Sequence, residues 1–313
     1  MRSPLSRLDA TAASADDPGL YGPHSEAWRL NREAFLLIAA GPRALLLQIA
    51  HPLVAEGVDQ HSDFRADPWR RLQGTLRSYL TVVYGSTSQA RAEIRRLNLL
   101  HREIGGPVHD REARRRHGAT YTARDPALSM WVHATLVDST LVAADAWLER
   151  LARERRERYY EETRPIGRAF GIPESLLPPT LAGFDAYLEE MLAPDGPIHP
   201  SATARRLAPY VLQPPLGPVV PALGWLPSAT YRWTMWPAIG LLPVRVREEL
   251  GLSWGPVHRA VSAWLVGGFR LWRPIVPISL RWMPRARAAD RRVARRGVLS
   301  TGAGTAARSA EPG

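Results

Sequence analysis

The sequence predicts an all-α protein built as a single globular helical domain. Three observations carry this prediction. Apolar residues recur at three- and four-residue spacing through most of the chain. Gly, Pro and capping residues punctuate that pattern at helix-length intervals. No alternating apolar and polar run is long enough for a strand, and no internal repeat is present. With 313 residues, 45% of them hydrophobic, and a mean hydropathy of −0.22, the chain suits a soluble fold with one large core. The expected plan is a polar lead-in over 1–24, one domain over 25–297 and a small, polar tail over 298–313.

The elements follow in order. MRSPLSRLDATAASADDPG has no apolar core, so no signal peptide is expected and the location expected is cytoplasmic. Ser25 is placed to cap a helix running to about Ala40, and Gly41-Pro42 is expected to break and restart it. RALLLQIAHPLVAEGV is apolar all round, as in a central helix, and His51 before Pro52 marks a kink. DPWRRLQGTLRSYLTVVYG and STSQARAEIRRLNLLHREIGG read as a helix pair joined at Tyr84-Gly85-Ser86. Residues 107–124 read as an Arg-rich connection. Asp125-Pro126 opens a long helix to about 151 carrying Trp131, His133, Asp138 and Thr140. Further helices are expected near 180–192, 199–211, 244–250, 255–271 and 283–297. The stretch 214–244 is apolar but broken by seven prolines, which argues against a clean span. It reads either as a broken hairpin on the core or as a membrane-dipping or channel flap.

Charge and absences narrow the chemistry. The net charge is +11, and all 41 basic residues are Arg. Arginine binds carboxylates and phosphates bidentately, so acidic ligands and anionic head groups are plausible partners. Without Cys there is no disulfide, thiolate metal site or covalent haem. Without Lys there is no Walker lysine or Schiff base. Arg runs such as RLARERRER are interleaved with Glu, as on a solvated helix face, which argues against nucleic acid as a partner.

Two histidines lie on core-facing helical positions: His101, stacked on Ile94, Leu97 and Leu100, and His133 in WVHATL. The remaining loop histidines, His24, His109, His117, His199 and His258, are expected at the surface. No H-E-x-x-H, H-x-x-x-H or Glu-x-x-His motif occurs, and G-x-S-x-G is absent. Haem is the cofactor these constraints permit most readily, because it needs one neutral imidazole, an apolar slot and Arg for the propionates. Arg71 and Thr75, four apart on one helix face, stand near His101 if the helix pair packs together.

The ordered set HPLVAEGVDQHSDFRADPWRRLQGT, VVYGS, RRLNLLHREIGG, YTARDPALSMWVHATLVDS, ERYYEE and GIPESLLPPT resembles the MpaB-type oxygenase family, which includes the bacterial rubber oxygenases. The likeness covers about residues 30–250. It implies a globin-like helical core holding non-covalent haem b, with His101 as the iron ligand and Arg71 and Thr75 supporting the haem and its activity. His133 is the alternative ligand or a group behind it. Where rubber oxygenases carry Lys before that Thr, this chain has Gly74, which implies an open distal side and points away from rubber. The resemblance implies O2 as co-substrate and a hydrophobic, isoprenoid-like small molecule as substrate. A second class, a cofactor-free binding protein attached to a membrane surface, is motivated by the apolar 214–244 stretch beside the Arg-rich segments 111–117 and 285–296.

Overall fold

The computed structural model describes residues 17–62, 68–212 and 232–294; Pro68, Trp69, Arg71 and Leu72 are described by their backbone alone. Most of the expected lead-in, the whole 298–313 tail and residues 213–231 of the apolar stretch lie outside that description. The fold is all-α apart from one small hairpin.

Helix α1 (Glu26–Asn31) starts where Ser25 Oγ accepts the Trp28 amide. Its free N-terminal amides are bound from afar, because the Glu162 carboxylate accepts from Glu26 N and Ala27 N at 3.1 and 2.8 Å. This pairs an anion with a helix N-terminus and satisfies two orphan donors. The break expected at Gly41-Pro42 does not occur. The chain breaks at Arg32-Glu33, and α2 (Ala34–Ala50) runs through Pro42. Proline removes a hydrogen bond to the carbonyl four residues back. Here that carbonyl belongs to Ile38, which is exposed, so water can take the lost bond. His51 does end α2: the chain turns by 104° into α3 (Pro52–His61), and His51 Nδ1 accepts the Leu53 amide at 3.2 Å.

α7 (Pro126–Trp147) lies antiparallel on α2 at the centre. Trp131 Nε1 donates to Leu47 O, Gln48 Nε2 to Thr135 Oγ1 and Arg43 Nη1 to Asp138 Oδ2 at 2.6 Å. α7 is long and apolar enough to cross a membrane, but its most apolar stretch is 67% buried within the protein, as in the core helix of a soluble fold. α8 (Arg153–Ala169), α9 (Leu181–Leu192) and α10 (Ala202–Leu212) pack around this pair.

The helix pair α4 (Pro68–Tyr84) and α5 (Thr87–Arg102) forms as expected. Ser86 and Gln89 make a reciprocal capping box at the start of α5, which fixes two orphan amides. Beyond it, the short strands β1 (Gly105–Pro107) and β2 (Thr120–Thr122) pair antiparallel with Gly106 opposite Tyr121, and flank α6 (Arg111–His117). Three-residue strands are too short to show an alternating pattern, so the sequence reads them as loop.

After a 3-10 turn (Arg232–Met235) come α11 (Trp236–Gly240), α12 (Val244–Glu249), α13 (Pro256–Trp272) and α14 (Ile278–Arg281), then the helical stretch 284–294. This C-terminal part closes on the start of the domain. The Arg32 guanidinium stacks 3.9 Å from the Trp282 ring, and the buried Glu33 carboxylate meets Arg273 and Arg281 at 3.1 and 3.2 Å. Two cations around one buried carboxylate offset its desolvation.

Candidate functional site

The site expected from sequence spans α4, α5 and α7. The α4–α5 pair turns at Gly85, and Arg96 Nη2 donates to Ser78 Oγ at 3.1 Å. In an antiparallel pair with that register, the last turn of α5, which carries His101, is level with the first half of α4, which carries Arg71 and Thr75. The two halves of α4 differ. Leu80, Val83 and Tyr84 are buried against Trp28, Ala286 and Ala289, whereas Gln73, Gly74, Thr75 and Arg77 are exposed. Thr75 is therefore a surface residue in this conformation, and a Cβ added at Gly74 would meet nothing within 4 Å. The Arg71 side chain is outside the described residues. His101 is half-buried, beside the exposed Leu99 and Leu100; the core-facing phase read from Ile94 and Leu97 weakens as α5 runs off the body.

His133 is placed differently. It is buried on α7, and burial pushes its imidazole pKa down to about 4. Its Nε2 is buried without a hydrogen-bond partner. A neutral imidazole with an unused ring nitrogen is an uncommon and costly arrangement. The nitrogen faces α8 at Gly167: a Cβ there would stand 3.4 Å from Nε2 and 3.3 Å from Leu177 Cδ1. Glycine thus lets α8 approach the ring closely. Two residues on, the Ala169 carbonyl accepts from Asn98 Nδ2 of α5 at 2.9 Å. The C-terminal turn of α8 thereby touches both His133 and the helix that carries His101.

Below this turn lies a buried polar network that the sequence reading missed. Tyr79 Oη donates to Asn31 Oδ1 at 2.6 Å, and Thr140, Asn31 and Tyr79 are the polar neighbours of the Tyr159 hydroxyl. Burial drives the Tyr159 pKa up to about 12 and that of Tyr79 well above its usual value, so both remain protonated donors. Spacing alone did not single it out, although Arg71, Thr75 and Tyr79 repeat every four residues on α4, and His133 and Thr140 are seven apart on α7.

His24 and His109 are exposed as expected, whereas His117, His199 and His258 are half-buried. His117 packs against His51 with ring centroids 5.1 Å apart and planes tilted by 42°, and the Nε2 atoms of His117 and His199 are buried without a hydrogen-bond partner. Among the described residues, no group of three His, Asp or Glu side chains forms a metal site. Haem iron asks for less. It needs one neutral imidazole with an available lone pair; His133 is held neutral with its Nε2 unpartnered, so it fits as a donor, and α8 at Gly167 would have to move aside to admit the group. A surface cleft lined by Asp145, Arg150, Arg153, Arg156 and Asp185 includes none of Arg71, Thr75, His101 and His133.

Comparison with known proteins decides the family. The family model described as ER-bound oxygenase mpaB/B'/Rubber oxygenase, catalytic domain, matches residues 28–276. The chain belongs to this oxygenase family. The match spans the body from α1 to the end of α13 and includes all four expected site residues. Uncharacterized proteins of Mycobacterium bovis and Mycobacterium tuberculosis are each 23% identical to it over 245 residues, covering 74% of this chain and 87% of theirs. No solved structure matches. Membership in an oxygenase family implies a small-molecule substrate and O2 as reactants.

Proposed function

We propose that this protein is a haem b-dependent oxygenase acting on a hydrophobic small molecule, with the isoprenoid-like class first among candidates. The observation that carries the reading is a buried, neutral and unpartnered imidazole, His133, inside the matched oxygenase domain. Haem b, when bound, supplies O2 binding and activation. The chain's own residues hold and shape the site. His101 is the iron ligand by resemblance, at the level of Arg71 and Thr75 in the helix pair. Arg71 would bind a propionate carboxylate bidentately, and Thr75 would donate a hydrogen bond beside it. Gly74 leaves that side of α4 open where rubber oxygenases carry Lys, which supports a substrate other than rubber.

A second assignment of the ligand is favoured by the unpartnered nitrogen: His133 would hold the iron in place of His101. The test is a visible spectrum of protein produced with haem supplied. A Soret band is expected, and folded protein without one sinks the haem reading. Loss of the band in His101→Ala with its retention in His133→Ala assigns His101; the reverse assigns His133. A cytoplasmic location with peripheral membrane contact completes the reading, since a hydrophobic substrate partitions into lipid.

A further inference from the structure

We propose that the outer face of α13 and the α14 segment that follows form a docking surface for an anionic lipid bilayer. α13 buries only Ser262 and Phe269, with Leu265 and Val266 partly covered by the core. Its opposite face carries Trp264 and Leu271, seven residues apart, and the stripe continues to Ile275 four residues on. Trp264 is 70% exposed, and Leu271 and Leu280 are each 73% exposed. Trp272, Ile275 and Ile278 are exposed as well. A Cβ added at Gly267, on the same stripe, would meet nothing within 4 Å.

A single exposed leucine needs no explanation, but a run of large apolar side chains along one element marks an interaction surface. Its chemistry selects the partner. Tryptophan favours the boundary between hydrocarbon and water, where an apolar ring and a polar N–H are both accommodated. From Leu250 to Ala289 the sequence contains Arg259, Arg270, Arg273, Arg281, Arg285 and Arg287 and neither Asp nor Glu. Arg273 and Arg281 share the buried Glu33 carboxylate, one negative charge for two cations, so the segment keeps a positive excess. An apolar stripe bordered by arginines is complementary to anionic head groups over acyl chains. A second copy would bring the same arginines together, which like-charge repulsion opposes. The surface lies beyond the apolar 214–244 stretch and uses none of its residues.

The test is flotation of the full chain with phosphatidylglycerol–phosphatidylcholine vesicles, against phosphatidylcholine alone. Binding is expected on the anionic vesicles, falling as salt is raised. The double substitution Trp264→Ser, Leu271→Ser should weaken it about tenfold or more, and Leu280→Ser less. Both variants should keep the circular dichroism and melting temperature of the parent, since the side chains removed are exposed. Failure to float with anionic vesicles, or equal flotation of parent and double variant, overturns the proposal. So does a solution dimer that Trp264→Ser disperses without any vesicle binding. Flotation needs no cofactor: protein that floats yet shows no Soret band refutes the haem reading and leaves this surface standing.

Discussion

Acid should destabilise this protein through His133, and the size of the effect follows from its position. The ring titrates near 6.5 in an unfolded chain and at about 4 in the fold, because burial disfavours the charged form. The folded state therefore binds this proton more weakly than the unfolded state. Stability from the neutral ring is fully present above 6.5 and is lost as pH falls toward 4. At about 1.4 kcal/mol per pH unit, the gap corresponds to about 3 kcal/mol, most of it lost by about pH 4.5. His51 adds to the same loss, since burial, and then the neighbouring His117, hold it down to about 3. The assay is urea unfolding of the parent and His133→Leu across this range. Leucine is an apolar side chain of similar size and has no nitrogen to protonate. The variant should match or exceed the parent at neutral pH and retain about 3 kcal/mol more stability near the acid end. Identical pH profiles for the two proteins, or a His133 proton that titrates near 6.5 by NMR in the folded state, would refute the reasoning.

Two further predictions test how α7 is held. Gly167→Val should lower stability by about 2 kcal/mol in urea unfolding, because even its first carbon would crowd Leu177, Ile172 and the His133 ring at 3.3 to 3.4 Å; an unchanged midpoint would mean that α8 does not press on that ring. Asp138→Ala should cost about 3 kcal/mol, because it removes the carboxylate 2.6 Å from the buried Arg43 guanidinium; among the described residues Arg43 would keep Ser139 and the Leu241 carbonyl, and a loss below about 1 kcal/mol, the scale of a surface pair, would show that water reaches the site.

The helices were legible because they are set by local chemistry. Ser25, Ser86, Asp125 and Thr180 each accept an amide at a helix start, and each stands just before an apolar period. The 104° turn at His51-Pro52 was legible for the same reason, since proline restricts the residue before it. Gly41-Pro42 misled because the cost of an internal proline depends on whether water reaches the orphaned carbonyl, and that is a tertiary fact. Glu33 was invisible as a breaking point, since its partners Arg273 and Arg281 lie some 240 residues away. Periodicity placed His101 and His133 alike on core-facing positions. Only packing separates them, because the last turn of α5 leaves the body while α7 runs through its centre.

That separation bears on which residue a buried cofactor would use. A ligand imidazole must be neutral, and it must have a nitrogen that no neighbour has claimed. Near neutral pH the first condition holds for His133 with a wide margin, given a pKa of about 4, and the second holds for its Nε2. The resemblance assigns the ligand to His101, which sits at the level of Arg71 and Thr75. The helices of both residues bear on one turn of α8: Gly167 abuts the His133 ring, and Ala169 accepts from Asn98, three residues before His101. A shift of that turn would alter the surroundings of His133 and the hold on the helix that carries His101 at once. The two alanine variants can therefore perturb a common spectrum by different routes. An abolished band identifies the ligand, whereas a displaced one identifies the neighbour that orients it.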